Sequence, residues 1–183
     1  MSNYRRYRVP GGCYFFTVNL LRRDQHLLTE HLDSLRQAFR VVKSQRGFQI
    51  DAIVILPEHL HCVLTLSEAD DDFSSLWRDL KKIFSKPLPA TEYRSDIRLK
   101  RHERGIWQRR FWEHAIRDDL DYQQHIDYIH YNPVKHGWVT RVNDWPYSSF
   151  HRFVERGIYT LAGELTWICL MILIKCEIKL SGG

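Results

Sequence analysis

Two histidines separated by a single residue, His59 and His61, are the side chains whose type and spacing most directly suggest chemistry in this chain. In a β-strand, alternate side chains point to the same face, so the two imidazoles would project together, roughly 7 Å apart along the strand. Imidazole nitrogens are common ligands of divalent metals. The pair therefore predicts half of a metal site, although two solvated strand histidines would show the same spacing.

The opposite face of the same predicted strand is apolar. It carries Leu60, Cys62, Leu64 and Leu66 in alternation with the two histidines. Such a row favours packing against a hydrophobic core. We therefore expect the histidines to lie on the face that the core leaves open.

The composition limits the classes of function. The chain has 183 residues, a mass of 22.0 kDa and 44% hydrophobic residues, which suit one domain with its own core rather than a disordered chain. We place that domain at residues 1–160 and a tail at 161–183, whose apolar run at 166–174 is expected to pack or to reflect an altered reading frame. The net charge of +5 and the pI near 9.1 favour an anionic partner.

The cysteines and the hydropathy favour a cytoplasmic protein. Cys13, Cys62, Cys169 and Cys176 form no CxxC pair and fit reduced thiols. The N-terminus lacks the apolar stretch of a secretory signal. No segment reaches the roughly 20 apolar residues needed to span a bilayer, so we expect no membrane association.

The periodicity of the first 116 residues predicts an α+β fold. Strands are predicted at 13–21, 48–56, 59–66 and near 107–116, and helices at 31–45 and from the acidic run 70–72 to residue 84. The acidic run is interpreted as a helix start rather than a metal site. The order is that of the ferredoxin-like split βαβ plan, an antiparallel sheet with helices on one face.

A further helix is predicted to start at Asp118 or Asp119 and to end near Asn132, because Pro133 disfavours helical geometry in the residue before it. Its buried stripe is Tyr122, Ile126 and Ile129. Its other, polar side carries Asp121, Gln124, His125, Tyr128 and Asn132. Tyr128 and Asn132 are four residues apart and so lie one above the other.

Two segments are rich in cations interleaved with aromatic residues. The cations are Arg5, Arg6, Arg8, Arg94, Arg98, Lys100, Arg101, Arg104, Arg109 and Arg110. Cations that meet phosphates beside rings that stack on bases are typical of nucleic-acid binding. A solvated terminus and a solvated face are the alternative interpretations. We expect the segment from residue 93 to begin as a mobile loop and to run into the strand near 107–116.

Together, the His-Leu-His strand and the run Tyr-Ile-His-Tyr-Asn-Pro-Val-Lys-His-Gly at 128–137 resemble the single-tyrosine HUH transposases. The resemblance is greatest to their domesticated branch, the REP-associated tyrosine transposases. It covers about residues 4–160, with supporting stretches at 4–7, 15–19, 107–114 and 144–149. The ordered set of motifs is far more specific than His-x-His alone.

The resemblance implies roles for individual residues. His59 and His61 match the histidines that bind a divalent cation, Mg²⁺ or Mn²⁺, and Tyr128 matches the nucleophile. Asn132 stands where the family places its third ligand, often a glutamine. Tyr131 is the rival nucleophile. Two residues are possible auxiliaries: Glu58, which we expect on the opposite strand face, and His125, which either positions substrate or is solvated.

The resemblance also implies the reaction. It predicts an enzyme that cleaves and rejoins single-stranded DNA at hairpins of repeated extragenic palindromes (REP) through a 5′-phosphotyrosine. A monomer is favoured over a homodimer. The alternatives are a non-catalytic hairpin-binding regulator and a metal-dependent phosphodiesterase that uses water in place of the tyrosine.

Overall fold

A computed structural model describes residues 7–159 of the chain. The predictions for Arg5, Arg6 and the tail 161–183 lie outside the described residues. Within the described range, no helix has both the length and the apolar character needed to cross a membrane.

Four strands form one antiparallel sheet. They are β1 (Cys13–Asn19), β2 (Gln49–Ile55), β3 (His59–Thr65) and β4 (Trp112–Ala115). Their order across the sheet is β2-β3-β1-β4, and each neighbouring pair is antiparallel. This is the split βαβ arrangement, which confirms the predicted ferredoxin-like fold.

The three predicted helices are present in the predicted order, and three shorter helices accompany them within residues 7–159. They are α1 (Leu27–Glu30), α2 (Leu32–Arg46), α3 (Phe73–Ser85), α4 (Asp96–Lys100), α5 (Asp119–Lys135) and α6 (Phe150–Glu155), with a 3₁₀ turn at Val142–Asp144. Gly47 ends α2 at φ 72°, a conformation that glycine adopts without strain. Asp72 caps α3 by accepting from the Ser75 amide, and Asp70 pairs with Arg46. These contacts confirm the acidic run as a helix start.

The main core lies between the sheet and the pair α2 and α3. The strands contribute alternate residues, and the helices contribute their predicted stripes. The buried set includes Tyr14, Phe16, Val18, Leu20, Leu60, Cys62, Leu64, Leu66, Leu35, Phe39, Val42, Phe73, Leu76, Trp77, Leu80 and Phe84. The predicted apolar rows of the first and third strands therefore face the helices.

The second face of the sheet is also covered, which corrects the expectation of an open face. Phe15 and Val63 on the strands pack with Ile126 and Ile129 of α5 and with Trp145 in a second core. The physical reason is that this face is itself partly apolar, so water would be excluded from it by any available amphipathic helix. The segment that covers it is the helix predicted to carry the nucleophile.

Helix α5 does not end before its proline. It runs through Pro133 to Lys135, so the predicted end at Asn132 is wrong by one turn. Proline removes one hydrogen bond but leaves the rest of the ladder available. Here the last turn is closed by the His136 amide on the Asn132 carbonyl and by the Trp138 amide on the Pro133 carbonyl.

The basic segment and the last strand also differ from the prediction. The segment predicted to begin as a mobile loop contains the short helix α4. The strand predicted from residue 107 begins at Trp112, and Trp107 contributes only an isolated bridge to Leu20. Strand boundaries are set by pairing with a neighbour, which the local pattern does not report.

A buried histidine links α5 to the edge of the sheet. His130 is 2% exposed, and its Nε2 lies 2.9 Å from Ser149 Oγ. The same hydroxyl accepts a hydrogen bond from the Ile53 amide of β2. Burial lowers the pKa of His130 from 6.5 to about 3.

This burial predicts a pH-dependent stability. The unfolded chain takes up a proton at His130 near pH 6.5 while the folded chain does not, so the contribution of His130 is complete above pH 6.5. It is lost as the pH falls towards about 3, at about 1.4 kcal/mol per pH unit. We expect His130→Gln to have a shallower fall in the free energy of unfolding between pH 6.5 and 5, measured by urea denaturation. Equal slopes would contradict the assignment.

Candidate active site

His59 and His61 lie side by side on the sheet face beneath α5. Their ring centroids are 4.9 Å apart and the rings are nearly perpendicular, at 83°. Their residues are 2% and 4% exposed. Strand alternation thus places the two imidazoles together as predicted, but in a covered site rather than in the open.

Each histidine is held through one ring nitrogen. Glu58 Oε1 lies 2.9 Å from His59 Nδ1, and Thr17 Oγ1 lies 2.9 Å from His61 Nδ1. A carboxylate only accepts hydrogen bonds, so His59 Nδ1 donates and its Nε2 carries the lone pair. Partners of this kind orient metal-binding histidines. Glu58 precedes β3 and therefore escapes the strand alternation, which corrects its predicted place on the opposite face.

The surroundings of His61 and Glu58 hold each in a definite protonation state. Desolvation, reinforced by the neighbouring His59, lowers the pKa of His61 well below its ordinary value, so its imidazole is neutral near pH 7. Burial alone would raise the pKa of Glu58, but its hydrogen bond with His59 holds that pKa below the ordinary value. A neutral imidazole has the free lone pair that coordination needs.

Helix α5 places Tyr128 against the strand histidines. The Tyr128 ring centroid lies 5.3 Å from that of His61 and 5.9 Å from that of Phe15, both in edge-on geometry. Lys135 Nζ lies 5.3 Å from the centre of the Tyr128 ring. Among the described residues, Tyr131 makes no such ring contact with either strand histidine. The structure thus brings together the predicted nucleophile and one predicted metal ligand.

The Asn132 side chain is a buried amide without hydrogen-bond partners among the described residues. It is fully buried, one helical turn after Tyr128, and neither its Oδ1 nor its Nδ2 has a hydrogen-bond partner within residues 7–159. A buried amide without a partner costs about 1–3 kcal/mol. Coordination of a cation by the Asn132 Oδ1 would compensate this cost.

His136 joins the site, although the sequence analysis did not select it. Its ring centroid lies 5.1 Å from that of His59. The extra helical turn beyond Pro133 carries it there. The signal was available, because His136 belongs to the same run at 128–137 that the resemblance rests on.

A second cluster, also missed from the sequence, lies on β4 and α5. The possible ligand atoms of His114, Asp121 and His125 all lie within 4.8 Å of one another, the arrangement of a candidate metal group. His114 Nε2 lies 2.8 Å from Asp121 Oδ2, and the Arg117 amide donates to the same oxygen at 3.0 Å. The i, i+4 spacing of Asp121 and His125 on a helix could have revealed their proximity.

His125 is not a solvated histidine. Its side chain is 17% exposed, its ring stacks on His114 at 4.7 Å, and its Nδ1 lies 2.8 Å from the Asp121 carbonyl. Burial lowers the pKa of His125. Burial opposes ionisation of Asp121, yet hydrogen bonds from His114 and Arg117 hold its pKa below the ordinary value. These hydrogen bonds account for the cluster without a metal.

The predicted DNA-binding cations fall into distinct groups. Arg104 donates to Glu92 and to the carbonyls of Ser85, Leu88 and Pro89, which leaves little capacity for a phosphate. Arg8 bonds Ser74 and lies against the acids at the start of α3.

The other cations of that set that lie within residues 7–159 are exposed or half-buried. Arg109 forms an exposed ion pair with Glu103. Lys100, Arg101 and Arg110 are exposed, whereas Arg94 and Arg98 are half-buried. These residues keep the capacity to meet an extended anion.

Three comparisons with known proteins all find similarity to transposases. Residues 12–132 match the family model described as "Transposase IS200 like". The chain is 52% identical over 168 residues to a REP-associated tyrosine transposase of Escherichia coli K12, covering 91% of this chain and 94% of that protein. A solved structure of a REP-associated tyrosine transposase bound to a REP hairpin is 52% identical, with a TM-score of 0.76 over 88% of this chain and 90% of that one.

The unpartnered amide of Asn132 predicts that this residue lowers the stability of the metal-free protein. Asn132→Leu keeps a similar volume and removes two buried polar atoms that lack partners. We expect the metal-free variant to be more stable than the parent by about 1 kcal/mol or more in urea denaturation. Ser149→Ala, which removes a buried hydroxyl with partners, should destabilise the protein instead. A loss of stability in Asn132→Leu would contradict this account.

Proposed function

The chain belongs to the IS200-like transposase family, and on that premise we propose that it cleaves and rejoins single-stranded DNA at REP-type hairpins through Tyr128. The observation that carries the proposal is the packing of Tyr128 against His61 beneath α5. The names of the 52%-identical relatives support the hairpin as substrate.

The chemical step is a phosphoryl transfer to the phenol. Tyr128 Oη attacks the scissile phosphorus, a new bond forms between phosphorus and Oη, and the bond from phosphorus to the 3′-oxygen breaks. The phenol loses its proton and the leaving 3′-oxygen gains one. The product is a 5′-phosphotyrosine, and a second 3′-hydroxyl reverses the step and rejoins DNA, because the covalent link conserves the bond energy.

The surroundings of Tyr128 favour this attack. The ammonium of Lys135, 5.3 Å from the ring centre, favours the negative charge that the phenolic oxygen acquires as it loses its proton. The packing of Phe15 and His61 against the ring limits its motion. A nucleophile held in position meets the phosphate at less entropic cost.

His59, His61 and Asn132 are the residues that would hold a divalent cation. Both histidines are tied through Nδ1, which leaves Nε2 for coordination, and Asn132 has a buried oxygen without a partner. When bound there, the cation would withdraw charge from the scissile phosphate. Two imidazoles and one amide oxygen suit Mn²⁺ better than Mg²⁺, which prefers oxygen ligands.

Exposed cations and free thiols bear on the partner and on the place of action. The exposed cations Lys100, Arg101, Arg109 and Arg110 suit the phosphates of the hairpin. We propose that one chain suffices for cleavage and that it acts in the cytoplasm, where the free thiols of Cys13 and Cys62 would stay reduced.

Covalent trapping tests the nucleophile. We expect the protein, given Mn²⁺ and a 5′-flanked REP hairpin labelled 3′ of the cleavage position, to form a labelled adduct that resists denaturing electrophoresis. Tyr128→Phe should lose the adduct completely, because phenylalanine has no attacking oxygen. Tyr131→Phe is the matched control, three residues along the same helix, and should keep it.

The other outcomes of the trapping assay are equally informative. Cleavage that survives Tyr128→Phe would show hydrolysis by water and overturn the tyrosine mechanism. Hairpin binding without any cleavage in the parent protein would show a non-catalytic regulator.

Metal-dependent stabilisation tests the ligand set. A cation that binds the folded state raises the melting temperature, and the rise grows with the logarithm of its concentration relative to its Kd. We expect Mn²⁺ to stabilise the parent and His114→Ala, but not His59→Gln or His61→Gln. Glu58→Gln should weaken Mn²⁺ binding about 10- to 100-fold, because the hydrogen bond to a ligating histidine is weakened. Loss of the Mn²⁺ effect in His114→Ala alone would move the site to the second cluster.

A further inference from the structure

An indole at the start of β4 forms the outer end of a stack of rings. Trp112 is 47% exposed. Its ring lies parallel to that of His114, at 6.0 Å and 7°, and His114 lies parallel to His125, at 4.7 Å and 17°. Three flat groups thus run from the surface to the side of α5 that carries Tyr128.

Hydrogen bonds to Asp121 hold the two histidines of the stack in place. His114 Nε2 is held by the Asp121 carboxylate at 2.8 Å, and His125 Nδ1 lies 2.8 Å from the Asp121 carbonyl. Asp121 is itself fixed by the Arg117 amide. An aromatic surface that is already ordered loses little conformational entropy when a flat ligand settles on it.

One ring separates the indole from the nucleophile. The Phe15 ring centroid lies 5.5 Å from that of Trp112 and 5.9 Å from that of Tyr128. In the sheet, Trp112 pairs with Thr17, whose hydroxyl contacts His61. A ligand on the exposed indole would therefore lie on the same face of the sheet as Tyr128, one ring away from it.

Exposed arginines flank the ring stack along the chain. Arg110 is exposed two residues before Trp112. The Arg117 side chain is 74% exposed although its Nε contacts Asp121. Exposed aromatic rings beside cations are the general means of binding single-stranded nucleic acid, since bases stack while phosphates pair with the cations.

We propose that Trp112 is the stacking site for an unpaired base next to the scissile phosphate. The proposal rests on the proposed function, and it adds the contact that sets which nucleotide lies over Tyr128. Trp112 acts as a positioning residue, because it contacts the DNA and not the reacting atoms. A purely structural Trp112 would instead serve only to cover Phe15.

The test is binding to a series of DNA hairpins in the Tyr128→Phe background, where no cleavage interferes. The probe is a fluorescent REP hairpin with unpaired flanks, and each unpaired nucleotide in turn is replaced by an abasic one. We expect Trp112→Ala to weaken binding of the intact hairpin roughly tenfold. On the hairpin that is abasic at the stacking position, Trp112→Ala should have no further effect, and Trp112→Phe should recover part of the binding.

A structural role predicts a different pattern. If Trp112 only supports the fold, Trp112→Ala weakens binding of every hairpin in the series equally, or of none, and either result overturns the proposal. Trp138→Ala is the matched control, since Trp138 is also an exposed indole, at 41%, and packs against His26 and Trp145. Trp138→Ala should show the same dependence of binding on the abasic position as the protein with Trp138 intact.

The failure of the wider function is distinguishable from the failure of the stacking site. A protein that forms the tyrosine adduct but shows no position-specific coupling to Trp112 keeps the function and loses the stacking site. A protein that shows the coupling but forms no adduct keeps the stacking site and loses the catalytic proposal. Absence of any hairpin binding overturns both.

Discussion

The packing of α5 on the second face of the sheet is the interaction on which the site depends. Ile126 and Ile129 are buried in one cluster with Phe15, Val54 and Val63, and this packing sets the height and rotation of the helix over the sheet. Tyr128 stands between those two isoleucines in sequence, so its position above His61 follows from theirs. Without this apolar contact, the two halves of the site would have no fixed relation.

Phe15 is the side chain through which this packing reaches the chemistry. Its ring contacts His61, His125 and Tyr128 as well as the indole of Trp112. A single aromatic ring thus contacts the candidate nucleophile, the candidate metal ligand and the stacked rings. Rigid rings at such a junction transmit small displacements, because a packed interior has little free volume to absorb them.

The sequence predicted the parts of the molecule that depend on local periodicity. Strand alternation correctly paired His59 with His61, and helical spacing correctly grouped the stripes of α2 and α3. What it missed depends on contacts between distant segments. The burial of the histidines follows from the docking of α5, and the contact of Glu58 with His59 follows from a turn that no period describes.

Other differences also arise from contacts that the local sequence pattern does not contain. The passage of α5 through Pro133 depends on hydrogen bonds beyond the proline that close the last turn. The cluster of His114, Asp121 and His125 joins a strand to a helix, so neither period alone could show it. Arg104 was expected to be a surface cation, but tertiary structure brings acceptors from four residues to its guanidinium.

The same docked helix that carries Tyr128 has a mechanical consequence. In the proposed reaction, the 5′ end of a cut strand is tied to a side chain whose backbone is clamped to the sheet on one side and linked to its edge through His130 on the other. The covalently bound 5′ end then stays fixed relative to the sheet. Exchange of strands must come from motion of the DNA, and the reach of its unpaired flank sets which 3′ end can arrive.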